Sequence, residues 1–133
     1  MSTLAHLKPS SLWQLFEKIC SIPHPSKHEQ AISLWIQTWA KELGLSIKED
    51  EVGNLAITKP ATAGMEGRKG IILQAHMDMV PQKNNDTEHD FLTDPIRPYI
   101  VTETDGDWVT ADGTTLGADN GVGLASALAI LAS

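Results

Sequence analysis

Apolar and polar positions alternate in two distinct rhythms along these 133 residues, and the change from one to the other marks the elements. Leu12, Leu15, Phe16 and Ile19 recur at steps of three and four. That spacing predicts an amphipathic helix ending at Cys20, with Ser11 and Gln14 placed to form a capping box. Ser21-Ile-Pro-His-Pro-Ser26 then interrupts it, because two prolines in three residues disfavour helix. Ser26 and Glu29 match a second capping box, predicting a helix that carries Ile32, Trp35, Ile36, Trp39 and Leu43 on one face and stops at Gly44. The tryptophans read as core.

The period shortens after Gly44. Leu45 to Asp50 and Leu55 to Thr58, joined by Gly53-Asn54, predict one hairpin, and Tyr99 to Glu103 with Trp108 to Ala111, about Asp105-Gly106, predict another. Between them Ile71, Ile72 and Leu73 form an unbroken apolar run, the pattern of a strand buried on both faces. Pro81 to Pro98 is polar and proline-punctuated, a long irregular connection. A glycine-rich turn, Thr114 to Gly123, leads into a closing apolar helix. That helix has no Gly-Pro stop signal, so the chain reads as cut rather than finished. The expected fold is α/β, a three-layer sandwich with a mixed sheet flanked by helices. The Gly70 to Ala75 strand is central, the hairpins lie toward the sheet edges, and residues 1–133 make one unit.

Composition narrows the function. A formal net charge of −7 argues against nucleic acid or an anionic membrane as partner. No run approaches the roughly 18 apolar residues of a membrane span, and no signal-peptide pattern opens the chain. The lone Cys20 cannot pair within the chain and reads as a buried thiol in a cytoplasmic protein, which leaves the sequon at Asn85 without consequence.

Chemistry collects at the end of the apolar run. His76 and Asp78 stand at i and i+2, so in an extended segment they point the same way and the carboxylate can hold one imidazole nitrogen while aiming the other at a metal. Met77 and Met79 face the opposite side. Asp119 and Asn120 lie among Gly117, Gly121 and Gly123 where the last helix begins. Asp119 there can be a helix cap or a metal ligand. The turn can also be read as a phosphate-binding loop in a small-ligand module, although Gly121-x-Gly123 is not followed by the third glycine of that motif, does not directly follow a strand and has no Lys-Ser/Thr partner. His24 and His28 need not share a face, with Pro25 between them, and Asp86, Glu88, His89 and Asp90 read as a solvated loop.

Taken together, His76-Met-Asp78-Met-Val80 and Gly117-Ala-Asp119-Asn-Gly121 resemble the two N-terminal metal-site motifs of the co-catalytic di-zinc peptidases. Ser21-Ile-Pro-His-Pro-Ser26, Lys59 to Met65, Val80 to Asp86 and Gly113 to Gly121 extend the resemblance to the bacterial aminoacyl-histidine dipeptidases, a carnosinase-like branch, across essentially the whole chain. The resemblance implies hydrolysis of dipeptides, of the Xaa-His kind, by a hydroxide held between two zinc ions. His76 would bind one zinc, Asp119 would bridge both, and Asp78 would be the catalytic-site residue orienting His76. A cis peptide would follow Asp119. The family's Glu-Glu pair, its further acidic ligand, its distant histidine and its lid and dimerisation domain would all lie beyond Ser133. The expectation is therefore an N-terminal part of a catalytic domain, inactive by itself, from a cytoplasmic dipeptidase that works as a homodimer.

Overall fold

The computed structural model describes residues 3–133. Three helices and two β-hairpins follow in the order α1 (Ser10–Ser21), α2 (Gln30–Glu42), β1 (Ser46–Glu49), β2 (Leu55–Thr58), β3 (Pro98–Glu103), β4 (Gly106–Ala111) and α3 (Ala118–Ala132). The chain is α/β, with helices set against small antiparallel sheets. The first hairpin aligns Ile47 with Ile57, and the second aligns Ile100 with Val109. In the second, Glu103 pairs with Gly106, so Thr104 and Asp105 form the two-residue turn, one residue earlier than expected.

The core lies where α1 meets α3. Phe16, Ile19 and Cys20 of α1 and Leu124, Ala125 and Leu128 of α3 are buried together with Leu4, Ile32, Ile36, Met79 and Ile96. Gly121 permits the close approach of the two helices, since a Cβ on it would meet the Phe16 ring at 3.1 Å. Trp13 stands edge-on to Phe16, with ring centroids 5.8 Å apart, and extends the core toward the second hairpin. Trp35 and Trp39 pack against this core as expected of them.

Two expectations about local structure are corrected. Neither capping box forms: α1 begins after Pro9 and α2 after Glu29, without a side-chain cap at either end. Glu29 instead accepts a hydrogen bond from the Lys27 backbone N–H, while the Ser26 hydroxyl is engaged elsewhere. The Gly70 to Ala75 segment is not a central strand. It joins no ladder, and Ile71 and Ile72 are 85% and 93% exposed. A strand buried on both faces requires a neighbour on each side and a layer above and below. Among the described residues the four paired strands form two separate sheets, and none lies beside this run. The closing helix α3 packs on α1.

Candidate metal centre

Although its ladder is missing, the end of the apolar run is held firmly. The Met79 N–H donates to the His24 carbonyl at 3.1 Å, and the Ser26 N–H donates to the Met79 carbonyl at 3.0 Å. Pro25 and Met79 form an isolated parallel bridge between these bonds. The Met79 side chain is buried in the core, which turns its neighbour Asp78 outward. The His-Pro-Ser loop thus serves as a strand-like neighbour of the segment that carries His76 and Asp78.

His76 has its ring fixed from both sides. Its Nδ1 lies 3.0 Å from the backbone carbonyl of Asp78 and 3.1 Å from that residue's Oδ1. A carbonyl only accepts, so Nδ1 carries the proton, and in the neutral ring the lone pair belongs to Nε2. Nε2 faces Asp119, 3.0 Å from Oδ1. Partial burial pulls the His76 pKa down, but the hydrogen bond to Asp119, the Asp78 carbonyl and the two carboxylate charges outweigh it, and the ring retains its proton above the ordinary histidine range. The Asp78 pKa is lowered, chiefly by the hydrogen bond from Ser26 and further by the adjacent imidazole.

Asp119 reaches this position because the chain bends sharply ahead of α3. Gly117 adopts a left-handed conformation with φ of 78°, and the backbone of Asp119 and Asn120 departs from helical values before α3 runs on regularly. The Asp119-Asn120 peptide is cis. The Asp119 side chain is 96% exposed at the mouth of the turn, and its Oδ1 meets the His76 ring. Of the readings open at the level of sequence, the contact with His76 favours the ligand over the cap. An exposed carboxylate at this mouth also disfavours a phosphate loop, since it would repel the anion.

The donors suit zinc as part of a set. An imidazole nitrogen and a carboxylate oxygen are ordinary zinc ligands, and two atoms each about 2.0–2.1 Å from a tetrahedral ion lie roughly 3.3 Å apart. The separation of 3.0 Å between His76 Nε2 and Asp119 Oδ1 needs only a few tenths of an ångström of opening. No group of three or more His, Cys, Asp or Glu side chains that could hold a metal occurs among the described residues, so His76 and Asp119 do not by themselves make a closed metal site.

The remaining candidates separate cleanly from this pair. His24 is buried, and its Nδ1–H donates to the Ile22 carbonyl at 2.6 Å; burial lowers its pKa. Asp86, Glu88 and Asp90 are exposed, as the solvated-loop reading expects, but His89 is half-buried against the ring of Phe91, with centroids 4.5 Å apart and no partner for Nε2. Cys20 is buried, and its thiol pKa is pushed up to about 12 by that burial and by the nearby Glu17 charge. It is a core residue. Ser26 is the residue that sequence reasoning missed. Its hydroxyl lies 2.5 Å from Asp78 Oδ2, whereas its spacing to Glu29 suggested only a helix cap.

No protein-family model matches the chain. Over 132 residues, 99% of the chain, it is 64% identical to the cytosol non-specific dipeptidase of Escherichia coli, of which it covers 26%. Among solved structures, it superimposes on an aminoacylhistidine dipeptidase from Vibrio alginolyticus with a TM-score of 0.92 and 63% identity, across 98% of this chain and 26% of that one. A tripeptidase from Staphylococcus aureus matches with a TM-score of 0.62 and 25% identity, across 91% of this chain and 31% of that one. The chain therefore spans about a quarter of the length of the first two. Along nearly all of its residues it is similar to the N-terminal part of bacterial dipeptidases, those of the aminoacyl-histidine type that its motifs resemble.

Proposed function

We propose that this chain supplies part of the metal site of a zinc dipeptidase that cleaves dipeptides of the Xaa-His kind, and that the 133 residues alone are inactive. The observation that carries this reading is the meeting of His76 Nε2 and Asp119 Oδ1 at 3.0 Å, from segments 43 residues apart, with Asp78 behind the ring. In the proposed site His76 and Asp119 would hold zinc, and Asp78 would orient His76. Bound zinc lowers the pKa of water and polarises a carbonyl. This chain's own residues present the ligands: Asp78 keeps the proton on Nδ1, and the rigid turn at Gly117 keeps the Asp119 carboxylate in reach. A proton acceptor and further ligands are required from outside these residues, since two donors cannot complete two zinc sites.

The names of the similar proteins support a dipeptide substrate and a cytoplasmic setting. No described helix is long and apolar enough to cross a membrane. A homodimer for the longer protein, and the absence of nucleic-acid or membrane partners, belong to the same proposal. The phosphate-loop alternative has no observation in its favour. The test is hydrolysis of an aminoacyl-histidine dipeptide with zinc, before and after a chelator. It compares the 133-residue chain with a protein that carries it at the length of its relatives. Removing a general base alone costs about 10² to 10⁴ in rate, so the chain is expected to fall at least that far below the longer protein. Comparable chelator-sensitive turnover by the chain would place the active site elsewhere.

A further inference from the structure

The Asp78 carboxylate has two oxygens with two separate partners. Oδ1 lies 3.1 Å from His76 Nδ1, and Oδ2 lies 2.5 Å from the hydroxyl of Ser26. A carboxylate with one partner can swing about its own bond to Cβ, whereas one held at both oxygens presents a fixed edge to the imidazole. The Ser26 hydroxyl has one proton to give. Its other acceptor, the Met79 carbonyl, is 3.1 Å away and already receives the Ser26 backbone N–H, so the proton goes to the shorter, charge-assisted bond with Asp78. Ser26 is itself anchored by that N–H, 52 residues away in sequence from the carboxylate it holds.

We infer that Ser26 is a positioning residue which fixes the Asp78 carboxylate and, through it, the tautomer and aim of His76 toward the metal. The inference that Ser26 orders the Asp78–His76 pair stands on geometry. Its extension to the metal rests on the proposed function. Ser26 touches no ligand atom, so its effect must pass through Asp78. Partners of this kind, one step removed from a ligand, commonly change metal affinity by about 10–100-fold.

The experiment compares Ser26→Ala, Ser26→Thr, Asp78→Asn and the double variant Ser26→Ala/Asp78→Asn in this chain. Two readouts are used: the NMR signal of the His76 Nδ1 proton without metal, and the dissociation constant for zinc. Circular dichroism confirms that each variant is folded. Ser26→Ala leaves the backbone bonds of residue 26 intact and is expected to broaden or lose the Nδ1 proton signal and to weaken zinc about 10-fold, with Ser26→Thr restoring both. In the Asp78→Asn background Ser26→Ala is expected to add nothing. An unchanged proton signal in Ser26→Ala, or an equal loss of zinc affinity with and without the Asp78 carboxylate, would overturn the inference. Loss of the proton signal in a chain whose wild type binds no zinc at His76 would uphold the ordering of the pair by Ser26 and would instead defeat the metal reading.

Discussion

The imidazole Nε2 of His76 lies 3.0 Å from Oδ1 of Asp119, a contact between the end of an extended segment and the start of a helix. The two atoms are joined by a hydrogen bond from a ring whose pKa is raised in part by Asp119. Replacing that carboxylate removes both the acceptor and its charge. Asp119→Asn is therefore expected to lower the His76 pKa, read as a shift of the ring-proton titration midpoint by NMR. A midpoint that stays in place would show that the pair is not in contact in solution.

Cys20 tests the core rather than the site. Its thiol ionises at about 12 instead of the ordinary 9.0, so between those values the unfolded chain loses a proton that the folded chain retains. The unfolded state is then favoured as pH rises, and stability falls progressively from about pH 9 toward pH 12. Near pH 8 the folded thiol should react roughly a thousand-fold more slowly with a thiol reagent than the unfolded one, from thiolate content alone. Fast labelling under native conditions would contradict the packing of α1 on α3.

Exposed Ile71 and Ile72 make an apolar patch of the kind that promotes association. Ile72→Lys is expected to reduce aggregation of the chain, measured by light scattering, while changing the stability of the fold by no more than about 0.5 kcal/mol. A large loss of stability would mean that Ile72 is packed.

The sequence pattern was readable wherever an element makes its own contacts. Both hairpins and all three helices stand close to their expected places because each buries its apolar face on something within the chain. Ile71 to Leu73 misled because an interior strand is defined by neighbours, and periodicity says nothing of whether they are present. Ser26 misled for a different reason. The pattern Ser-x-x-Glu signals a cap only if the hydroxyl has no better acceptor, and the Asp78 carboxylate, 52 residues away, is such an acceptor. The meeting of His76 and Asp119 was expected from the motif resemblance. Spacing alone left Asp119 open between cap and ligand.

Gly117 is the hinge of the turn that presents Asp119. Its φ of 78° disfavours any other residue, and a Cβ there would lie 3.1 Å from the Met79 sulfur. The left-handed conformation alone costs an alanine about 1–2 kcal/mol. Gly117→Ala is expected to lose at least that much in urea denaturation and to weaken zinc binding as Asp119 shifts. A variant with unchanged stability would show that the turn adapts freely.

The central claim, that His76 and Asp119 hold a zinc ion together, is tested most directly by anomalous diffraction at the zinc edge. The crystals would be of zinc-loaded protein carrying this chain at the length of its relatives. The account predicts a peak about 2.0–2.1 Å from His76 Nε2 and at a similar distance from an oxygen of Asp119. Zinc bound elsewhere in the molecule, with the His76–Asp119 hydrogen bond intact, would contradict it.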